Sequence, residues 1–350
     1  MPTLFDPLQA GELELPNRII MAPMTRCRAD AGHVPNALMA EYYKARTDAG
    51  LIISEGVPVS PQGVGYPNVP GLWNAAQVAG WKRVTEAVHQ AGGRIVAQLW
   101  HVGRISDPVY LNGELPVAPS AVAAEGHVNL LRPSKPFVTP RALLTEEIPG
   151  IVEAFRQGAQ NAEKAGFDGV EIHAANGYLI DQFLQDGVNK RADAYGGPIE
   201  NRARLLLDVT DAAISVWGAG RVGVHLAPRC DSHSMGDSNP LATFSYVAKE
   251  LGVRRIAFIF TREGQGPGLI GPQLKATFGG VLVANQGLDK ESGNRILAAG
   301  EADAIGIGVP YIGNADLVER LRKDIPLNAP RPEFFYTGGR EGYLDDPRQA

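Results

Sequence analysis

The chain has 350 residues, of which 44% are hydrophobic and 20% are charged, a composition typical of a folded globular protein. Its formal net charge of −5 and the lack of a lysine or arginine run argue against nucleic acid as a partner. No apolar stretch reaches about 18 residues and the start carries no basic region, so we expect a cytoplasmic protein without membrane span or signal peptide. Cys27 and Cys230 are too few for a disulfide framework and lack metal-ligand spacing, so free thiols and no metal site are predicted.

Short apolar runs alternate with helical patterns along the whole chain. Their apolarity is continuous rather than alternating, which indicates strands buried on both faces of a parallel sheet. The eight predicted strands are Arg18 to Ala22, Leu51 to Glu55, Arg94 to Leu99, Gly169 to Ile172, Val222 to Leu226, Arg255 to Phe260, Val281 to Ala284 and Ala304 to Ile307. Eight strand–helix units over this length predict an α/β protein with a single (β/α)8 barrel, the TIM-barrel fold, in which residues 1–350 form one domain.

Two segments between the strands have particular local signals. Pro149 suits a first helical turn and Gly166 suits the residue after a helix end, before the fourth predicted strand. The apolar stripe between them is formed by Ile151, Val152, Phe155, Ala159 and Ala162. Residues 105–145 are rich in proline, glycine and polar residues and too long for an ordinary strand–helix loop, so they predict an excursion that caps the barrel mouth.

Three polar residues stand at the carboxyl end of the fourth predicted strand: His173, Asn176 and Tyr178. Parallel α/β proteins place their chemistry at this edge of the sheet. His173 and Asn176 can hold an oxygen that gains negative charge, and the Tyr178 hydroxyl can deliver a proton nearby. Each residue alone is ordinary in a structural role, whereas together they predict a catalytic cluster.

Six segments carry a resemblance to a known family. They are LPNRIIMAPMTR at 15–26, GLIISE at 50–55, AQLWHVGR at 97–104, the catalytic cluster segment at 166–178, RADAYGGPIENR at 191–202 and FYTGGREGY at 335–343. In this order they resemble the old yellow enzyme family of FMN-dependent ene-reductases, in its xenobiotic-reductase and N-ethylmaleimide reductase-like branch. The family fold is a (β/α)8 barrel, which the strand count predicts independently.

The resemblance implies a ping-pong oxidoreductase in which NADPH or NADH reduces FMN and the flavin passes hydride to a small electron-poor alkene. Enones, maleimides and nitroalkenes are the expected acceptors, with nitrate esters and nitroaromatics as further candidates. By resemblance, His173 and Asn176 hold the carbonyl or nitro oxygen while Tyr178 protonates the neighbouring carbon. A monomer or a homodimer is expected, and the sequence does not decide between NADPH and NADH.

The resemblance also implies contacts to the flavin. Thr25 matches the residue that bonds the flavin O4 edge, and Gln98 matches the one that reads the N3 and O2 edge. Main chain that contacts the flavin is expected around Pro23, Met24 and Gly56, where glycine permits close approach.

Aromatic residues of the family line the pocket above the flavin, and Tyr66, Trp100 and Tyr343 match them. The C-terminal residues 331–350 are therefore expected to contribute to the pocket. Three further matches are interpreted as structural ion-pair partners rather than catalysts: Arg191, Asp193 and Arg202.

Two positions depart from the family pattern. His225 stands where many members have an arginine beside flavin N1 and O2, and its charge depends on pH. Val309 stands where an arginine often pairs with the FMN phosphate. The phosphate is then expected to bind backbone N–H groups around Gly287, Gly308 and Val309, after the seventh and eighth strands.

Two alternatives stay open from the residues alone. One is a flavin-free barrel lyase or hydrolase that uses His173 or His101 as a base, although it leaves Thr25 and Gln98 unexplained. The other is a non-catalytic ligand-binding barrel, which the fold alone does not exclude.

Overall fold

A barrel of parallel strands forms the centre of the computed structural model, which describes residues 1–230 and 232–344. Within these residues eight strands close in chain order, each paired with its neighbours and the last with the first. They are β1 Ile19–Met21, β2 Leu51–Pro58, β3 Ile95–Trp100, β4 Val170–Ala174, β5 Val222–Leu226, β6 Phe258–Arg262, β7 Val281–Asn285 and β8 Ala304–Ile307. The predicted (β/α)8 barrel is confirmed.

Helices surround the barrel and connect its strands. They are α1 Ala37–Lys44, α2 Ala75–Gln90, α3 Ile148–Lys164, α4 Leu179–Leu184, α5 Ile199–Trp217, α6 Pro240–Arg254, α7 Gly271–Phe278, α8 Lys290–Ala298, α9 Val309–Gly313 and α10 Leu317–Lys323. The predicted helix is α3, which has Pro149 in its first turn, buries Ile151 and Phe155, and is followed by Gly166 at φ +80°. In the described residues no helix combines the length and the apolar character needed to cross a bilayer.

The carboxyl ends of five strands lie further along the chain than predicted, and two of them, β6 and β4, change which residues reach the mouth. β6 begins at Phe258 because Arg255, at φ +56°, belongs to the left-handed end of α6 and cannot start a strand. β6 extends to Arg262. β4 continues through His173 to Ala174. These shifts matter because strand residues alternate between the interior and the helices, so they decide which side chains reach the barrel mouth.

The barrel interior is apolar at its amino-terminal end and polar towards the mouth. A hairpin of Leu8–Ala10 and Leu13–Leu15 closes the amino-terminal end and packs on buried residues such as Ile53 and Phe258. Gly223 leaves room for the Phe258 ring, which would lie 2.2 Å from a β-carbon at that position. Towards the mouth a buried polar layer follows, formed by Gln98, Glu171 and His225.

The excursion at 105–145 lies over the carboxyl end of the barrel. Its short strands Val117–Ala118 and Arg141–Ala142 pair in parallel, and Arg104 donates to the Val122 carbonyl at 2.9 Å. A buried apolar cluster joins the excursion to the barrel through Val128, Phe137, Tyr66, Trp100 and Tyr178. The segment thus shields the residues at the mouth from water.

Candidate active site

A cavity of about 620 Å³ opens at the carboxyl ends of the barrel strands, a size suited to a cofactor with a small ligand. It brings together most of the residues that the sequence singles out. These are Pro23, Met24, Thr25, Gly56, Tyr66, Gln98, Trp100, His173, Asn176, Tyr178, His225, Gly287, Gly308 and Val309. They come from seven different strand ends or the loops after them, as expected for a barrel mouth.

Tyr343 does not line the cavity, so its predicted place in the pocket is wrong. Its ring is buried against Tyr42, with parallel rings 4.1 Å apart, and lies below the guanidinium of Arg28. Arg26 fixes this packing by donating to the carbonyls of Phe335 and Gly342, both at 2.9 Å. The C-terminal segment reaches the cavity through Phe335 and Tyr336 instead. Residues 345–350 of the expected tail lie outside the described residues.

The loop after β4 holds the catalytic cluster in place. Asn176 has φ +59°, a left-handed conformation that asparagine tolerates better than most residues. The Gly177 amide donates to Asp181 at 2.8 Å, and Gln182 donates to the Gly177 carbonyl at 2.7 Å. α4 thus supplies partners for the turn that carries Asn176 and Tyr178, while His173 lies in β4 itself.

Arg262 sets the orientation of the Asn176 amide. Its Nη1 donates to Asn176 Oδ1 at 2.9 Å, and a guanidinium has no acceptor atom. The oxygen of the amide must therefore face Arg262, which leaves the nitrogen available to donate into the cavity. Sequence analysis missed Arg262 because it ended the sixth strand at Phe260. Continued strand alternation would have placed it inside.

Tyr178 lies in an aromatic setting. Trp100 packs edge-on against it with ring centroids 4.9 Å apart, and the Tyr66 hydroxyl is 2.8 Å from its own. Burial raises the pKa of Tyr178 above its ordinary value, although the hydrogen bond with Tyr66 opposes the shift. The phenol therefore stays protonated at neutral pH. Gly56 is needed beside it, because a β-carbon there would lie 2.5 Å from the Trp100 ring.

His173 is a neutral imidazole in this structure. Burial lowers its pKa to about 3, and the positive charge of Arg262 adds to the effect. The ring stacks on His225 with centroids 5.1 Å apart, and its Nδ1 is buried without a protein partner. A neutral imidazole carries one N–H donor, so His173 and Asn176 can each offer one hydrogen bond to a ligand oxygen.

Glu171 is a second residue that sequence analysis missed. Gln98 donates to its Oε2 at 2.7 Å, and the same amide nitrogen lies 3.2 Å from His225 Nδ1. Burial raises the pKa of Glu171 to about 8 and lowers that of His225 well below its ordinary value. Although Glu171 and His225 lie 3.7 Å apart, both are therefore neutral at pH 7. Glu171 stands two residues before His173 on the same strand. Because strand residues alternate between faces, this spacing could have placed Glu171 on the same face as His173.

The opposite side of the cavity is formed by glycines and backbone. Gly287 follows β7 at φ +70°, and Gly308 precedes α9, whose first residue Val309 is 46% exposed. Arg46 supports α9 from behind by donating to the Tyr311 carbonyl at 3.0 Å. This side offers main-chain atoms in place of a cationic side chain.

The remaining predicted residues lie away from the cavity. Arg191 pairs with Asp193 at 2.5 Å, while Arg202 pairs with Asp237 at 2.6 Å rather than with Asp193. His101 accepts a hydrogen bond from the Gly103 amide, and burial lowers its pKa to about 3. Cys27 and Cys230 are free thiols, as predicted.

Comparison with known proteins agrees with this geometry. Residues 3–328 match the model of the NADH:flavin oxidoreductase / NADH oxidase family. The chain belongs to this family. It is 42% identical to 12-oxophytodienoate reductase 7 from Oryza sativa subsp. japonica, over 98% of this chain and 94% of that protein. It is 40% identical to a probable flavin mononucleotide-dependent alkene reductase from Leishmania infantum, over 98% and 97%.

Solved structures show the same relationship. The old yellow enzyme homologue from Zymomonas mobilis has a TM-score of 0.96 and 45% identity, with 99% of each chain covered. Morphinone reductase in complex with tetrahydroNAD has a TM-score of 0.96 and 48% identity, covering 99% of this chain and 98% of that one. Membership makes this chain an FMN-dependent NAD(P)H oxidoreductase of the ene-reductase class, which confirms the predicted family, enzyme class and cofactor. The flavin-free and non-catalytic alternatives are therefore not supported.

Proposed function

We propose that the cavity at the barrel mouth reduces activated alkenes, with His173 and Asn176 as the oxygen-binding pair and Tyr178 as the proton donor. One observation supports this most directly. A protonated phenol and two neutral hydrogen-bond donors face one cavity from the end of β4 and the turn that follows it. That arrangement suits an acceptor whose oxygen gains negative charge while its neighbouring carbon takes up a proton.

The residues present fit FMN. The buried atoms Glu171 Oε1 and His225 Nε2 have no protein partner, and such atoms call for a polar ligand. Thr25, Gln98 and His225 would hold the ring, with main chain at Pro23, Met24 and Gly56. Main chain at Gly287, Gly308 and Val309 would hold the phosphate. When bound, FMN supplies hydride chemistry that side chains lack.

The protein contributes binding and proton transfer. His173 and Asn176 donate to the acceptor oxygen, and preorganised donors in a dry site stabilise developing charge more strongly than water does. Tyr178 then releases its proton to the carbon beside the activating group. As the proton leaves, Tyr66 can donate to the phenolate oxygen from 2.8 Å. The capping excursion excludes water from these steps.

The lining of the cavity suggests which substrates could accept hydride. Aromatic side chains at Tyr66, Trp100 and Tyr336 form a broad apolar wall that has no group specific to one alkene. We therefore extend the proposal to maleimides and nitroalkenes, and to nitrate esters and nitroaromatics. NADPH and NADH are both retained as reductants. A single domain over residues 1–350, a monomer or homodimer, and a cytoplasmic location remain predictions.

Two measurements test the proposal. The purified protein should carry yellow flavin absorbance, and anaerobic NADPH or NADH should bleach it. Addition of 2-cyclohexenone should restore the oxidised spectrum and yield cyclohexanone. A protein that is bleached but reoxidised by oxygen alone, with none of a panel of enones, maleimides and nitro compounds consumed, would contradict the assigned reaction.

A further inference from the structure

The wall of the cavity carries one side chain with a permanent charge. Among the described residues that line the cavity, Arg262 is the single lysine, arginine, aspartate or glutamate. Its neighbours do not offset this charge, because burial lowers the pKa values of His173, His225 and His233 and keeps these rings neutral. Glu171, one layer below, is neutral as well, because burial raises its pKa. Arg262 is therefore the one permanent side-chain charge that faces the cavity among the described residues.

Arg262 also has unused donors. The inner arginines Arg26, Arg28 and Arg104 each donate to several backbone carbonyls. Arg262 contacts Asn176 Oδ1 and, at 3.8 Å, the Cys230 sulfur, and no carboxylate of the described residues lies within 4.0 Å of it. Its Nε and Nη2 atoms are not among the buried polar atoms that lack a partner. A guanidinium of this kind is suited to a carboxylate or phosphate.

The bond to Asn176 places the guanidinium beside the proposed oxygen-binding pair. β6 ends at Arg262, and the side chain reaches across the mouth to the turn after β4. The expected phosphate position begins on the neighbouring strand, because the backbone of Arg262 pairs with Asn285, two residues before Gly287. The bond to Asn176 turns the guanidinium away from that loop and towards the acceptor side of the cavity.

Building on the function proposed above, we propose that Arg262 forms an anion subsite that selects ligands with a negatively charged oxygen group next to the group held by His173 and Asn176. An activated alkene that bears a carboxylate is the acceptor class that fits. The phosphates of a nicotinamide nucleotide have the same chemistry and form a second source. The two sources are separable, because they act in different half-reactions.

Matched ester and acid ligands test the subsite. Binding of monomethyl fumarate and dimethyl fumarate to the oxidised FMN-loaded enzyme is measured by calorimetry, and each is then used to reoxidise the reduced enzyme. Replacing Arg262 by Gln keeps a donor for Asn176 but removes the charge. We expect the monoester-to-diester preference to fall by about 10- to 100-fold in Arg262→Gln, the range for a lost charge-assisted hydrogen bond. Arg262→Lys should retain part of it.

Arg255 provides the matched control. It is exposed at the opposite end of the barrel, just before β6, so Arg255→Gln removes the same charge far from the cavity and should leave the preference unchanged. For the nucleotide source, reduction by NADPH is compared with reduction by the uncharged 1-benzyl-1,4-dihydronicotinamide. If Arg262→Gln lowers the NADPH-to-benzyl-dihydronicotinamide rate ratio but leaves the monoester-to-diester preference unchanged, the subsite is supported and its ligand is the nucleotide.

Other results overturn the subsite. Unchanged ratios in both half-reactions would remove Arg262 from ligand recognition, and a change confined to the FMN dissociation constant would make it a phosphate ligand of the cofactor. Failure of the proposed function looks different, because then neither ester is reduced by the unaltered enzyme. In that case the calorimetric ratio still decides whether Arg262 binds the carboxylate.

Discussion

The hydroxyl oxygens of Tyr66 and Tyr178 lie 2.8 Å apart in a buried part of the barrel mouth. Tyr66 comes from the segment after β2 and Tyr178 from the turn before α4, so the contact joins two separate barrel loops. Burial raises the pKa values of both phenols. Either hydroxyl can donate in this contact. In the proposed mechanism Tyr178 gives its proton to the ligand, and Tyr66 then donates to the phenolate oxygen.

Tyr178→Phe should slow reoxidation of the reduced enzyme by 2-cyclohexenone by about 100-fold or more, the lower range for loss of a general acid. Reduction by NADPH should change little, since that step needs no proton from a phenol. Stopped-flow absorbance resolves the two half-reactions. Loss of equal size in both would show that the ring shapes the pocket rather than donating a proton.

Tyr66→Phe should have a smaller effect of the same kind. Loss of a neutral hydrogen bond costs about 0.5–1.5 kcal/mol, or roughly 2- to 10-fold in the protonation step. A nitroaromatic acceptor, which needs no proton on carbon, should be less affected. Tyr110→Phe is the control, because its hydroxyl donates to the Asn129 carbonyl within the capping excursion. If Tyr66→Phe and Tyr110→Phe behave alike, the Tyr66 contact has no part in proton transfer.

The number of apolar runs and the spacing of the polar cluster were enough to predict most of the fold and of the candidate site. Buried parallel strands have continuous apolar runs, so the barrel and the edge that holds His173 and Tyr178 could be predicted from local sequence. Local sequence also predicted the start and end of α3. These features depend on neighbours within a few residues, and such signals are readable without tertiary contacts.

Contacts across the barrel could not be predicted in the same way. Tyr343 was placed in the pocket, whereas Arg26, more than 300 residues earlier in the chain, pins its segment so that the ring faces Tyr42. Arg262 was missed because α6 extends to Arg254, so that β6 starts three residues later and ends two residues later than predicted. Glu171 was overlooked because the catalytic cluster drew attention to the strand end, although alternation puts Glu171 on the same face as His173.

Val309→Arg should strengthen FMN binding by about 10-fold. The side chain at 309 is half-exposed and lines the cavity at the start of α9, where a guanidinium could add a charge-assisted bond to the phosphate. Titration of the apoprotein with FMN gives the dissociation constants, and the gain should shrink at high salt. Val253→Arg, at an exposed position on α6, is the control. Equal constants for Val309→Arg and the unaltered chain would show that backbone donors already saturate the phosphate, or that it binds elsewhere.

The buried carboxyl of Glu171 should make stability depend on pH. Burial raises its pKa to about 8 from the ordinary 4.5. Between these values the folded protein holds one more proton at this site than the unfolded chain. The contribution of Glu171 to the free energy of unfolding is therefore full below about pH 4.5 and is lost as the pH rises towards about 8, at about 1.4 kcal/mol per pH unit.

Glu171→Gln should remove this slope, because the amide cannot ionise and its oxygen can still accept from Gln98. Urea unfolding of the flavin-free protein between about pH 5 and 8, inside the window set by the two pKa values, measures it. Glu55 and Asp181, whose pKa values burial raises to about 7, act in the same direction but are shared by both proteins and cancel in the difference. Glu163→Gln, at an exposed position on α3, should reproduce the unaltered slope. Parallel curves for Glu171→Gln and the unaltered protein would mean that Glu171 does not change its protonation on unfolding in this range.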